Sequence, residues 1–207
     1  DLGFKLNFHM MLGLPRVDED REMEGLQHLF EDSSYRPDML KLYPCMVMPG
    51  TKLLEDFNAG RYIPFSTEQA ASVIGRFLDI VPSYCRVMRG QRDLPTYRRI
   101  AGVDRTNLRQ YVNTFMSEHD LKSRDIRARE VGRKKKGDTH PDNASLEVVE
   151  YEASGGREFF ISFEFQEVSD FVSCTDYCFD ICLVENELNR IFAERVVEGN
   201  DSYSSQH

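Results

Sequence analysis

The sequence predicts an α/β fold that gives way, in its last third, to antiparallel β-structure. Three observations predict this. Between residues 4 and 90, short apolar runs alternate with amphipathic helical stretches. The order strand, helix, strand, helix, strand implies parallel strands joined by crossover helices, in an α/β layered or barrel architecture. After residue 145 the helical period changes to strict alternation, "LEVVEYE" and "REFFISFEF" flanking Ser154-Gly155-Gly156, the pattern of a hairpin. Finally, 207 residues with 41% hydrophobic content suffice for one sizeable core, or for one domain and part of another.

"FKLNFHMML", residues 4–12, reads as a buried strand ending at a Gly13-Leu14-Pro15 turn. A helix follows from about Asp18 to Phe30, with Met23, Leu26 and Phe30 inward and Asp18, Glu19 and Asp20 at its positive end. "DMLKLYP" is a second strand, closed by Pro44. Thr51 caps a short helix over 51–58, which Gly60 ends. Ser66 and Gln69 form a capping box for a helix over 67–81, with Ala70, Val73, Ile74, Phe77, Leu78 and Val81 on one face and Pro82 as its stop. "YCRVMRG", 84–90, is the third strand. A helix over 106–117 turns Leu108, Tyr111, Val112, Phe115 and Met116 inward. "GRKKKGDTHPDNAS" reads as a linker or exposed loop. In the second hairpin arm Phe159, Ile161, Phe163 and Phe165 share a face. A last helix is expected near 184–197, before a disordered polar end. Three strands cannot close a barrel, so the sheet is open or its partners lie elsewhere.

Charge is strongly partitioned. Residues 1–85 carry net −5, residues 86–136 net +9 and residues 137–207 net −13. "DLKSRDIRAREVGRKKK" alone holds eight Lys or Arg against three acids. Such a block suits a polyanion, or equally a solvated basic face paired with the acidic segments. No apolar run approaches the roughly 20 residues of a membrane-spanning helix. Five cysteines, an odd number without an export signal, predict a reduced intracellular protein without disulfides. Residue 1 is Asp, which reads as a start lying upstream. Cys174, Cys178 and Cys182 would share one face of a helix, if the segment is helical; Phe171, Val172, Phe179 and Ile181 around them favour buried thiols over a metal site.

Seven stretches in order, "FKLNFHMMLGLP", "RPDMLKLYPCMVMPGTKL", "GRYIPFSTEQA", "VMRGQRDLP", "IAGVDRTNLRQ", "IRAREVG" and "YEASGGREFFISFE", resemble the catalytic subunit of the Elongator complex. That family joins a radical S-adenosylmethionine domain to a GNAT-type acetyltransferase domain and modifies the wobble uridine of tRNA. The resemblance covers roughly residues 1–165. It implies the C-terminal half of a partial TIM-type radical S-adenosylmethionine barrel over residues 1–100, a basic helical and connecting segment over 101–136, and a truncated, divergent acetyltransferase-like segment over 137–207 that opens on the hairpin. The parent reaction uses a 5′-deoxyadenosyl radical to activate acetyl-CoA and attaches its acetyl carbon to the base.

The resemblance also implies what each residue does. Arg86, Arg89, Arg92, Arg109, Arg124, Arg127, Arg129 and Lys41 are expected to line a cleft for a tRNA anticodon stem-loop, since Arg grips phosphate through two donors and stacks on bases. Arg86 and Arg89 diverge on a strand unless it ends near Gly90, and Lys41 reads equally as a water-exposed strand lysine. His9, Met10 and Gly13 stand where the family approaches the nucleoside of S-adenosylmethionine; from the chain alone His9 reads as a packed core histidine beside two Met. Arg16 replaces the family's Gly after Pro15. The family's structural zinc site precedes Arg129-Glu130-Val131-Gly132, but Ser123, Asp125 and Ala128 fill its places, so no metal is expected.

No three-cysteine loop and no Gly-rich pyrophosphate turn is seen. The family's S-adenosylmethionine, iron–sulfur cluster and acetyl-CoA are therefore not expected to be bound by this chain alone, and no catalytic residue is assigned. The reading is part of a tRNA wobble-uridine modification enzyme that keeps mainly its tRNA-binding surface. Non-catalytic tRNA or partner binding and a degenerate reading frame are the alternatives. tRNA and other Elongator subunits are the expected partners, with no DNA and no membrane, in the cytoplasm or also the nucleus.

Overall fold

A computed structural model describes residues 4–89, 99–130, 144–166 and the strand 171–182. Arg92, the Arg133–Lys136 run, most of the expected linker, the helix expected near 184–197 and the polar end lie outside the described residues.

Strands β1 (Asn7–Leu12), β2 (Met39–Pro44) and β3 (Arg86–Arg89) form a parallel sheet in the order β1-β2-β3. Helix α1 (Glu19–Glu31) links the first two. Helices α2 (Lys52–Asn58) and α3 (Thr67–Ile80) lie between the second and third. Helix α4 (Leu108–Glu118) and the short α5 (Ile126–Arg129) follow. The boundaries have local causes. The Asp18 carboxylate accepts from Arg21 N–H, and Ser66 and Gln69 complete both bonds of a capping box. Each satisfies a backbone donor that the first helical turn leaves unpaired.

Alternation along β2 buries Leu40, Leu42 and Pro44 and leaves Met39, Lys41 and Tyr43 half-exposed. Leu12, Leu40, Leu42 and Val87 join Leu26, Ile74, Phe77, Leu78, Leu108 and Val112 in one core. The helices therefore cover one face of the sheet. Full burial of side chains such as Leu26 and Phe77 contributes about 2 kcal/mol each. Among the described residues no helix covers the other face. Ala101 bridges back to Val47, and Ile100 N–H donates to Val47 O at 2.8 Å, so the chain after residue 99 returns to the C-terminal end of β2.

The second sheet is antiparallel, in the order β4 (Ala144–Ala153), β5 (Gly156–Gln166), β6 (Phe171–Cys182). Ser154 and Gly155 both have positive φ, 51° and 77°, as a two-residue hairpin loop of matching twist requires. Phe160 is fully buried and belongs to the same core as the parallel sheet, with Val149 and Tyr151 packed beside it. Tyr151 stacks on Tyr84 with ring centroids 3.8 Å apart. Ser154 N–H donates to Ser33 O and Arg36 to Glu152 O, both at 2.7 Å.

The apolar series Phe159, Ile161 and Phe163 shares a face, as the alternation predicts, and that face is the outer one: Phe163 is 42% exposed. The alternate set, Phe160 with Ser162 and Glu164, faces inward because an arginine waits there for the carboxylate. Residues 171–182 form a strand, not a helix. The three cysteines therefore do not share a helical face, and the pairing of β6 with β5 shifts register between Cys174 and Phe179. No helix among the described residues is long and apolar enough to cross a membrane.

Candidate nucleic-acid interface and the open face of the sheet

The parallel register aligns residues across the strands in rows. Asn7 pairs with Met39 and Met39 with Arg86; His9 pairs with Lys41 and Lys41 with Arg89; Met11 pairs with Tyr43. A shift between Leu40 and Lys41 brings the backbone of Arg89, rather than Met88, opposite Lys41. Because side chains alternate across a strand, Asn7, His9, Met11, Lys41 and Tyr43 share the open face. His9 is exposed and lies edge-on to Tyr43 at 5.9 Å, so it is no core histidine. The Asn7 Oδ1 is buried without a hydrogen-bond partner among the described residues. Met10 has the opposite parity and packs against the core under the helices. The structure thus brings His9 and Lys41 together and separates Met10 from them.

Gly13 ends β1 with φ +73°, and a Cβ there would lie 2.8 Å from the Phe65 ring. Its N–H donates to Glu22 Oε2 at 2.8 Å and its carbonyl accepts from Tyr62 OH at 2.7 Å. Burial pushes the Glu22 carboxyl up, against the pull of the Gly13 N–H. Burial, with the Cys45 thiol as hydrogen-bond partner, raises the Tyr62 phenol, which stays protonated and donates. The glycine is therefore demanded by the turn's own packing. Arg16 sits in the left-handed region at φ +70°, a conformation that disfavours any residue with a Cβ. Arg16→Gly is expected to stabilise the chain by roughly 0.5–1 kcal/mol, read from the urea midpoint; a loss of stability would show that the Arg16 side chain has a packing role.

The arginines have unequal fates. Arg129 has a side chain 9% exposed, paired with Glu164 at 2.6 Å, while its Nε donates to Arg124 O at 2.8 Å and its Nη2 to Ser83 O at 2.7 Å. Each of its three guanidinium nitrogens donates to an internal acceptor, so in the structure Arg129 serves packing. Arg127 donates to Met88 O, and Arg86 pairs with Glu130. Arg109 and Arg124 are exposed, and Lys41 is half-exposed on the open face. Arg89 is placed at backbone level only.

Asp125, which the sequence marks only as one of the residues standing in the family's zinc places, has a structural task. It is 2% exposed. Its carboxylate accepts from Ser123 Oγ at 2.6 Å, Arg127 N–H at 3.0 Å and Val87 N–H at 3.1 Å. It caps α5 and at the same time holds β3. A carboxylate engaged by three donors does not fit a zinc ligand. Nor do the described residues fit an iron–sulfur cluster: Cys45 and Cys85 are buried thiols outside any disulfide, and no group of three His, Cys, Asp or Glu among the described residues is arranged to hold a metal.

The fold and open face define a class. Residues 37–118 match the Radical_SAM C-terminal domain. The chain is 39% identical over 168 residues to the tRNA uridine(34) acetyltransferase of Methanocaldococcus jannaschii, covering 79% of this chain and 31% of that protein. It is 39% identical over 165 residues to Elongator complex protein 3 of Homo sapiens, covering 79% of this chain and 30% of that protein. The solved structure of Methanocaldococcus infernus Elp3 with an N-terminal deletion superposes with a TM-score of 0.75 at 38% identity, over 78% of this chain and 39% of that one. Over most of its length the chain is thus similar to the Elongator complex protein 3 and tRNA uridine(34) acetyltransferase proteins. It spans about a third of the length of these curated relatives.

Proposed function

We propose that this chain is a tRNA-holding part of a wobble-uridine modification system. The parallel sheet is then part of a TIM-type radical S-adenosylmethionine barrel, and the hairpin is the start of a GNAT-like domain. The observation that carries the reading is the 39% identity to a tRNA uridine(34) acetyltransferase. The charge pattern supports it, since the basic quarter of the chain contains Arg109 and Arg124, both solvent-facing. In this reading Lys41, Arg109 and Arg124 hold phosphates of an anticodon stem-loop, and Arg86, Arg89, Arg92 and Arg127 belong to the same proposed set.

His9 and the Gly13 turn lie toward the nucleoside of S-adenosylmethionine in the whole protein. S-adenosylmethionine, the cluster and acetyl-CoA supply the radical and acyl chemistry there, and the residues of this chain position RNA. A cytoplasmic setting and contacts with other Elongator subunits belong to the same proposal.

The test uses the purified chain and a labelled anticodon stem-loop at low salt. Replacing Lys41, Arg109 and Arg124 together by Gln is expected to weaken binding at least about tenfold, because each phosphate contact releases counterions. Binding equal to that of the unaltered chain would overturn the assignment of these three residues.

A further inference from the structure

Helices α3 and α4 leave a groove of about 480 Å³ on the outside of the α/β layer, away from the open sheet face. Its floor is Ala71, Tyr111 and Phe115, and its rim carries Glu68 and Glu118. The lining residues of α4 recur every three or four positions from Asn107 to Glu118. They form a continuous stripe about 16 Å long, the span of a short helix. The floor is fixed in place. Tyr111 packs against the core, and Phe115 stacks on His119 with centroids 4.0 Å apart. Gly75 gives Phe115 its seat, since a Cβ there would meet the ring at 2.7 Å.

Both carboxylates are exposed, and neither is paired with a cation among the described residues. At about 100° per residue, Arg109 lies on the opposite side of α4 from Glu118. The helix thus separates a cationic flank from an acidic, aromatic one. Two unpaired carboxylates repel a phosphate chain and attract ammonium or guanidinium groups placed beside an apolar stripe.

We propose that this groove docks a basic amphipathic helix of a partner protein: apolar side chains on Tyr111 and Phe115, Lys or Arg on Glu68 and Glu118. The site is distinct from the RNA-holding cations and does not depend on them.

The probe is a labelled 16-residue helical peptide with Leu at helical spacing and Lys on both flanks, followed by fluorescence anisotropy with the full chain. Binding is expected to weaken at least about tenfold in Glu68→Gln/Glu118→Lys and in Thr114→Arg, which fills the groove from an exposed position. A peptide with Glu in place of Lys should not compete. Unchanged urea midpoints of both variants keep the comparison valid. Three outcomes overturn the proposal: peptide binding that neither variant alters, displacement of the peptide by an anticodon stem-loop with these variants losing RNA affinity, or a self-association that Thr114→Arg abolishes, which would make the occupant a second copy of the chain.

Discussion

Arg129→Ala is expected to destabilise the chain by about 3–5 kcal/mol, the scale for breaking a buried ion pair from one side. Three acceptors lose their donor at once: Glu164, Ser83 O and Arg124 O. Among the described residues, the inward-facing Glu164 carboxylate then retains only the Ser162 hydroxyl, at 3.0 Å. The pair also ties β5 to the segment preceding β3, where Tyr84 stacks on Tyr151, so the loss should loosen the contact between the two sheets. Urea unfolding measures the size. The mechanism is separated by the double replacement Arg129→Met/Glu164→Leu, which removes both charges and should recover most of the lost stability. A small effect of Arg129→Ala, or no recovery in the double variant, would contradict the assignment of this arginine to packing.

Asp125→Ala should be nearly as severe, about 3 kcal/mol, because hydrogen bonds to a charged acceptor are among the stronger ones and three donors lose theirs. Val87 N–H belongs to a strand, Arg127 N–H to a helix start and the Ser123 hydroxyl to the loop before it. One buried side chain therefore joins three pieces of backbone. Asp125→Asn keeps an acceptor of the same shape and should cost about half as much. Hydrogen exchange at the Val87 amide reports the site directly, with protection falling in Asp125→Ala ahead of global unfolding. Exchange at Val87 that tracks only global stability would mean that the carboxylate does not hold the strand.

These two residues show where the sequence is legible and where it is not. The capping box at Ser66 and Gln69, the cap at Asp18 and the alternation of Leu40 and Leu42 are local signals, set by neighbours three residues away or fewer, and the structure matches them. The parallel order of β1, β2 and β3 follows from the succession of elements. The face of the second sheet that turns inward is not local. "REFFISFEF" offers an apolar face through Phe159, Ile161 and Phe163, yet the buried face is that of Phe160, Ser162 and Glu164, since Arg129, 35 residues earlier, supplies the charge that makes Glu164 welcome there. A single sequence carries no mark of such a pair.

The candidate site divides in the same way. The basic segment is visible in composition, and the row that places His9 beside Lys41 follows once the strands are paired. The conversion of Arg129 into an internal brace and the pairing of Arg86 with Glu130 depend on contacts between distant segments. Asp125 has a weak signal, an acidic residue at a helix start, but its second bond to Val87 has none.

The most direct test of the central claim is the salt dependence of binding between the chain and a tRNA anticodon stem-loop. Affinity should fall linearly with salt on logarithmic axes, and the slope should be shallower by about 2 when Lys41, Arg109 and Arg124 are all replaced by Gln. A slope near zero in the unaltered chain, or the same slope in both proteins, would contradict the account.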